Sequence, residues 1–353
     1  MISDDATELL RLVDGPAVWY ASDLCDDETW IWRLNAEDLL EINAALKSVQ
    51  QCGKSMPTLC CEDFPLPTLG PRLAAAAHDL DIGQGVLLIK GLDIGSYHED
   101  EISDIYLGMG RYLGRPVAQN AAGALIGNIR DSGRTIGEKN VRGYTTKNRM
   151  LPHCDPMDIV SLLCINPAKM GGQSLIASTS AIYNEVCRTH PEYLPTLFQG
   201  YHYDLRGEGP TGDPDEVTGN RVPVFSWWQG QMSCRFHGRS IREGMKKAGQ
   251  PLQGIDADAV DFVELLAVDE RFRFNMDLEQ GDIQILNNYA VLHARDEFED
   301  WPEQERRRHL LRLWINLDLA IARPLDPVFA AKNNTGPRGA IHTHSEHSGW
   351  VPQ

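Results

Sequence analysis

The sequence predicts a mainly β domain, a sandwich or a barrel, faced by a helical N-terminal layer. Three observations carry this. Up to about residue 113 the chain shows capped helical segments around a single strand signal. From about residue 115, Gly, Asn and Asp turns separate short strand-like runs. No internal repeat, low-complexity tract or clean linker divides the 353 residues, so they are taken as one domain.

Asn35 suits the N-cap of a helix over NAEDLLEINAALKSVQQCG. Glu37 and Asp38 fall in its first turn and Gly53 stops it. PRLAAAAHDL (71–80) reads as a second helix with Pro71 at its start, where a missing N–H costs nothing. QGVLLIKGL reads as a buried strand through Val86, Leu87, Leu88 and Ile89. Its glycines miss the G-x-G-x-x-G spacing of dinucleotide sites. A third helix covers roughly 98–113 and ends at Gly114. Strand-like runs follow at 158–166, 173–178, 223–228, 231–236, 281–286 and 310–317, interrupted by helical signals at 179–189 and near 257–268.

At 42% hydrophobic and 24% charged residues the composition is that of a soluble globular chain. The net charge of −17 argues against nucleic acid, which needs clustered Lys and Arg. Residues 1–64 hold 13 acidic and 4 basic side chains, the pattern of a solvated acidic face. No apolar run approaches the ~20 residues of a membrane span. The acidic start, MISDDATELLRL, is not a signal peptide, so the cytoplasm is the expected location. None of the eight cysteines is spaced C-x-x-C, and all are expected to be reduced thiols. Asn333-Asn334-Thr335 matches a glycosylation acceptor but carries no weight without secretion.

Five histidines stand two residues before a carboxylate: His98-x-Asp100, His153-x-Asp155, His190-x-Glu192, His202-x-Asp204 and His344-x-Glu346. A ligand pair at i and i+2 needs both side chains on one face, as on a strand. His98 opens a helix, where side chains two apart diverge by roughly 200°. His190 precedes a proline between helices, and His344 lies in a polar tail. His153-x-Asp155 leads directly into a strong strand, with His202-x-Asp204 as the alternative. A third histidine, His293, lies on a short apolar run after an Asn-Asn turn. Beyond it, His309, Leu311, Leu313, Ile315 and Leu317 form one face of a strand, while Arg308, Leu310, Arg312, Trp314 and Asn316 form the other. Two arginines opposite an apolar face imply a polar cavity, the alternative being a solvated sheet face.

The motifs HCD, GGQSLIAS, NNYAVLHARDEF and RRRHLLRLWI occur in one order over about 84–317. Together they resemble the taurine dioxygenase-like (TauD/TfdA) family of iron(II)- and 2-oxoglutarate-dependent oxygenases. The resemblance implies a double-stranded β-helix (jelly-roll) core over 84–317 with insertions, after a helical layer at 1–83 and before an extension at 318–353. It implies His153, Asp155 and His293 as the iron ligands, leaving positions for 2-oxoglutarate and O2. Arg308 falls where the family binds the distal carboxylate of 2-oxoglutarate, and Ser174 where a threonine usually assists it. Arg312 falls where several members hold an acidic group of the substrate. The segment 143–151 precedes the first ligand, where the family carries a substrate loop, so Tyr144 and Asn148 are candidate substrate contacts. His202-x-Asp204 has no counterpart in the family.

The implied activity is oxidation, by hydroxylation or related C–H chemistry, of a small organic acid or amino-acid-like substrate, with release of succinate and CO2. Asp155 separates the chain from halogenating relatives, which carry a small residue there. A non-catalytic jelly-roll binding or sensor protein that kept its metal site is the competing expectation. The fifteen residues between His293 and Arg308 exceed the shortest family spacing and admit Arg306 as a substitute clamp, while strand parity disfavours Arg307. His342, His344 and His347 read as a solvated tail rather than a second metal cluster. Arg235 carries no assigned role, and a homo-oligomer is compatible with the sequence.

Overall fold

The computed structural model describes residues 11–54, 57–120, 122–133, 143–330, 338–339 and 341. The Asn333 acceptor and His342, His344 and His347 lie outside the described residues. The strands in chain order are β1 (Ile31–Arg33), β2 (Val86–Lys90), β3 (Arg115–Pro116), β4 (Ile126–Ile129), β5 (Met150–His153), β6 (Ile159–Asn166), β7 (Met170–Gly171) and β8 (Ser174–Ser178). They continue as β9 (Phe225–Trp228), β10 (Gln231–Cys234), β11 (Arg273–Met276), β12 (Ile283–Asn287), β13 (Val291–Arg295), β14 (Phe298–Glu299) and β15 (His309–Asn316). A seven-stranded sheet runs β1-β2-β12-β6-β15-β3, with β4 also on β15, and a four-stranded sheet runs β11-β8-β13-β5. The protein is mainly β, with several helices.

Each sheet separates its faces by the period-2 rule. On β15, Leu311, Leu313 and Ile315 turn outward against the helices Ala36–Cys52, Leu69–Ile82 and Glu99–Leu113. The opposite face of the large sheet, with Val86, Val160, Leu286 and Trp314, packs on Ile176, Val291 and Met276 of the small sheet. The far side of the small sheet, Ala177 and Leu292, is covered by Thr179–Thr189 and Ile255–Val268. The gap between the sheets is where inward polar side chains must find partners.

The helical layer is set by local chemistry. The Asn35 side chain accepts from the N–H groups of Glu37 and Asp38, and the Asp38 carboxylate accepts from Asn35 N–H in return. Gly53 closes that helix in the left-handed region at φ 66°. The second helix starts at Leu69, two residues before the expected Pro71. The proline still sits in the first turn, where its missing N–H removes no helical bond. Gly110 lets Glu99–Leu113 lie close on the sheet, since a Cβ there would meet Leu313 Cδ2 at 2.2 Å. Leu313 is fully buried in that contact, so Leu313→Ala should cost about 2–5 kcal/mol. The exposed Leu319→Ala should stay within about 0.5 kcal/mol of wild type. Denaturant midpoints check this, and equal midpoints would contradict the packing described.

Candidate active site

His153 ends β5 and His293 lies in the middle of β13, and the two are directly paired across the antiparallel ladder. Paired residues project to the same face, which brings the rings to 4.3 Å between centroids. Asp155 follows two residues after His153, just past the strand end. Its N–H donates to Asn288 Oδ1 at 3.0 Å, so the second asparagine of the Asn-Asn turn places it. Its carboxylate lies 3.9 Å from His153 Nε2 and 3.7 Å from His293 Nε2. One ligand atom from each of the three residues falls within 4.8 Å of the others.

The donor set fits a divalent metal. His153 Nδ1 lies 2.9 Å from the Leu151 carbonyl, which accepts its proton and leaves Nε2 as a lone-pair donor. Burial pushes His293 down to about 3 and lowers His153, so both imidazoles are neutral near pH 7. Burial alone would raise the Asp155 carboxyl, but Arg312, the two histidines and the Trp314 N–H outweigh it and hold it below its ordinary value. Trp314 Nε1 donates to Asp155 Oδ2 at 3.0 Å, and Arg312 Nη1 stands 3.8 Å from the same oxygen.

Both strand arginines are buried, so the solvated-face alternative does not hold. Arg308 donates its backbone N–H to Asp300, while its buried Nη1 has no acceptor. It borders a cavity of about 160 Å³ with Cys164, Gly172, Leu278 and Leu310. Arg306 stacks on Trp301 at 3.5 Å and Arg307 is exposed, so neither reaches this space. Ser174 is buried, with its hydroxyl against the Gln284 amide at 3.0 Å. Arg312 is held by Gln119 Oε1 at 2.7 Å and lies between the Tyr144 and Trp314 rings, 4.8 and 4.3 Å from their centroids. Asn148 is exposed, and its carbonyl, not its side chain, turns inward to accept from Arg295.

The alternative pair is otherwise engaged. His202 Nδ1 contacts the Thr218 carbonyl at 2.8 Å, and Asp204 is paired with Lys247 at 2.8 Å. His190 stacks on Tyr193. Several residues at the site went unread in the sequence. His237 lies 5.0 Å from His153, ring to ring. Together with Tyr203, Arg206 and Arg235 it lines a cavity of about 60 Å³ that reaches Asp155. Arg206 takes φ 53°, a strained value for a non-glycine residue of the kind that gathers at functional sites. Arg295 was also missed, although its i+2 relation to His293 on β13 carried the signal.

The model of the family described as "Taurine catabolism dioxygenase TauD, TfdA family" matches residues 48–314. FR-33289 synthase of Streptomyces rubellomurinus is 32% identical over 315 residues, 88% of this chain and 92% of its own. Taurine hydroxylase-like protein SAT17 of Stachybotrys chartarum is 30% identical over 336 residues, covering 91% and 84%. The solved structure of an asparagine oxygenase with Fe(II), 2S,3S-3-hydroxyasparagine and succinate superposes with a TM-score of 0.64 at 16% identity, covering 88% of this chain and 99% of that one. The non-heme iron oxygenase OrfP with Fe and alpha-ketoglutaric acid gives 0.59 at 14%, covering 82% and 94%. With most of its length matched by the family model and by both relatives, this chain belongs to the TauD/TfdA family and is an iron(II)- and 2-oxoglutarate-dependent dioxygenase.

Proposed function

We propose that His153, Asp155 and His293 hold the iron, that Arg308 with Ser174 takes the distal carboxylate of 2-oxoglutarate, and that the substrate is a small organic acid or amino-acid-like molecule. The convergence of two imidazole nitrogens and one carboxylate within 4.8 Å, in a gap that also buries Arg308 and Arg312, carries this assignment. Bound iron and 2-oxoglutarate would supply the oxidation: O2 is consumed, 2-oxoglutarate leaves as succinate and CO2, and one oxygen atom replaces substrate C–H with C–OH. The chain's own groups prepare the site. Leu151 fixes the His153 tautomer, Asn288 positions Asp155, and Trp314 steadies its carboxylate.

Arg312 is the substrate's proposed anchor. Its ion-pair carboxylate among the described residues, Asp155, is itself a proposed metal ligand, so a substrate acid can become its partner once the metal is bound. Tyr144 flanks it, and Asn148 belongs to the same short segment. Hydroxylated amino acids occupy the asparagine oxygenase and OrfP complexes, and two relatives are uridine-5'-phosphate dioxygenases, which suits a substrate with an acidic group. We further propose a jelly-roll core within one oxygenase domain, supported by the two sheets packed face to face. A reducing compartment, the cytoplasm, suits the eight free cysteines.

Anaerobic binding of Fe(II) and 2-oxoglutarate, followed by a screen of acids for accelerated succinate formation, tests the function. Succinate formation that persists with no metal bound at the triad would overturn the ligand assignment. For the anchor, Arg312→Ala should raise substrate KM roughly 10-fold or more, the equivalent of one charge-assisted contact. It should also uncouple 2-oxoglutarate decarboxylation from product, because a misplaced C–H reacts poorly. If wild type turns over the neutral amide of an accepted acid equally well, Arg312 is structural.

A further inference from the structure

Arg295 has no task in the site as assigned so far. It sits on β13 two residues after His293, so both side chains project to the gap between the sheets. Across the ladder it faces Ser174, the residue placed at the 2-oxoglutarate carboxylate. Arg308 approaches from the other sheet, and the two guanidinium carbons lie 4.8 and 5.1 Å from the centre of the same Phe298 ring.

Neither guanidinium is directly paired, although Asp131 and Asp300 act on Arg295, and Asp300 on Arg308, from further off. Among the described residues no carboxylate reaches ion-pair distance of Arg295 or Arg308, both are more than nine-tenths buried, and each has a buried Nη1 without an acceptor. Two neighbouring desolvated cations without a directly paired carboxylate are costly, and an arriving anion relieves both at once. A single carboxylate offers enough lone pairs for two guanidiniums.

The other branch of Arg295 points elsewhere. Nη2 donates to the carbonyls of Thr146, at 2.7 Å, and Asn148. These carbonyls lie within a few residues of Tyr144, whose ring rests against Arg312. One side chain therefore spans from the cosubstrate's side of the gap to the segment beside the substrate arginine.

We infer that Arg295 is a second cation for the distal carboxylate of 2-oxoglutarate and a positioning residue that transmits its arrival to residues 143–148. This rests on Arg308 as the clamp. The order follows from the contacts: carboxylate binding draws Arg295 Nη1 into a bond, stiffens its hold on Thr146 and Asn148, and so braces Tyr144 against Arg312 before substrate arrives.

The test titrates 2-oxoglutarate anaerobically into the Fe(II)-loaded full chain by calorimetry, for wild type, Arg295→Ala, Arg295→Gln, Arg295→Lys and Arg308→Ala. Amide exchange over 143–148 is followed with and without 2-oxoglutarate. Arg295→Ala should weaken binding roughly tenfold or more, as loss of one charge-assisted contact does. It should also abolish the protection that 2-oxoglutarate confers on 143–148 in wild type. Arg295→Gln keeps a donor for the carbonyls but no charge, and decides the affinity question if the alanine variant does not fold. Arg295→Lys restores the charge and should recover part of the affinity. Binding within twofold of wild type in the Ala or Gln variant would reduce Arg295 to a loop staple and overturn the inference while leaving the clamp intact. Unchanged binding in Arg308→Ala would instead remove the clamp itself.

Discussion

Asp155→Asn is expected to lower iron-dependent turnover more than about a hundredfold, beyond the loss typical when an outer partner of a metal ligand is removed. His153→Ala and His293→Ala should do the same. The amide keeps the shape of the carboxylate but removes the only anionic donor among three ligand atoms within 4.8 Å of one another. Neutral imidazoles alone neither balance a dication nor complete a facial triad. His202→Ala is the control: its ring meets the Thr218 carbonyl, so its loss costs about 1 kcal/mol of stability. Its turnover should stay at the wild-type level. Iron stoichiometry, succinate formation and a thermal melt on each variant separate loss of metal from loss of fold. Full activity in Asp155→Asn, or lost activity in His202→Ala, would show the metal to be held elsewhere.

Arg308→Ala should weaken 2-oxoglutarate binding roughly 10- to 100-fold, the equivalent of a charge-assisted contact of about 1.5–3 kcal/mol. The structure adds a second readout. Without 2-oxoglutarate the Arg308 guanidinium is buried with an unpartnered Nη1, so removing it should not lower the Tm of the free protein. The gain in Tm that wild type shows on saturation with 2-oxoglutarate should shrink in the variant, because ligand stabilisation scales with the logarithm of affinity. Ser174→Ala should cost less, since its hydroxyl is a neutral group already bonded to Gln284. Arg307→Ala should change nothing, as Arg307 is exposed and, among the described residues, donates only to the carbonyls of Trp301 and Pro302. A large loss in Arg307→Ala with none in Arg308→Ala would move the clamp by one residue.

The elements with full local signals were legible. The cap at Asn35, the stop at Gly53 and the helix ending before Gly114 all stand where their residues place them. The alternation along β15 separated Leu311 and Leu313 from Arg312 and Trp314, and the two sets do face opposite layers. Two-residue strands such as β3, β7 and β14 were not legible, because a period of two cannot show itself over so short a run. The helix Gly238–Lys247 was missed as well. Its N-cap is His237, outside the usual capping residues, and two of its ten residues are glycines.

At the site, the divide falls between face and partner. A strand's own sequence says which side chains share a face, and that sufficed to set Arg308 with Arg312, apart from the apolar side of β15. It does not say which strand lies alongside. His153 opposes His293 only through the β5–β13 register, which joins residues 140 apart and is settled by packing of whole sheets. Arg295 shows the same limit: its parity with His293 was available, but nothing in HARDEFED shows that Phe298, Arg308 and the Thr146 carbonyl close around it. Tyr203, Arg206 and His237 come from irregular chain with no period to read, and only the fold carries them to Asp155. Local sterics and periodicity act within a few residues and are written in the chain. Burial, and with it the strength of every charge at this site, arises when distant segments exclude water together.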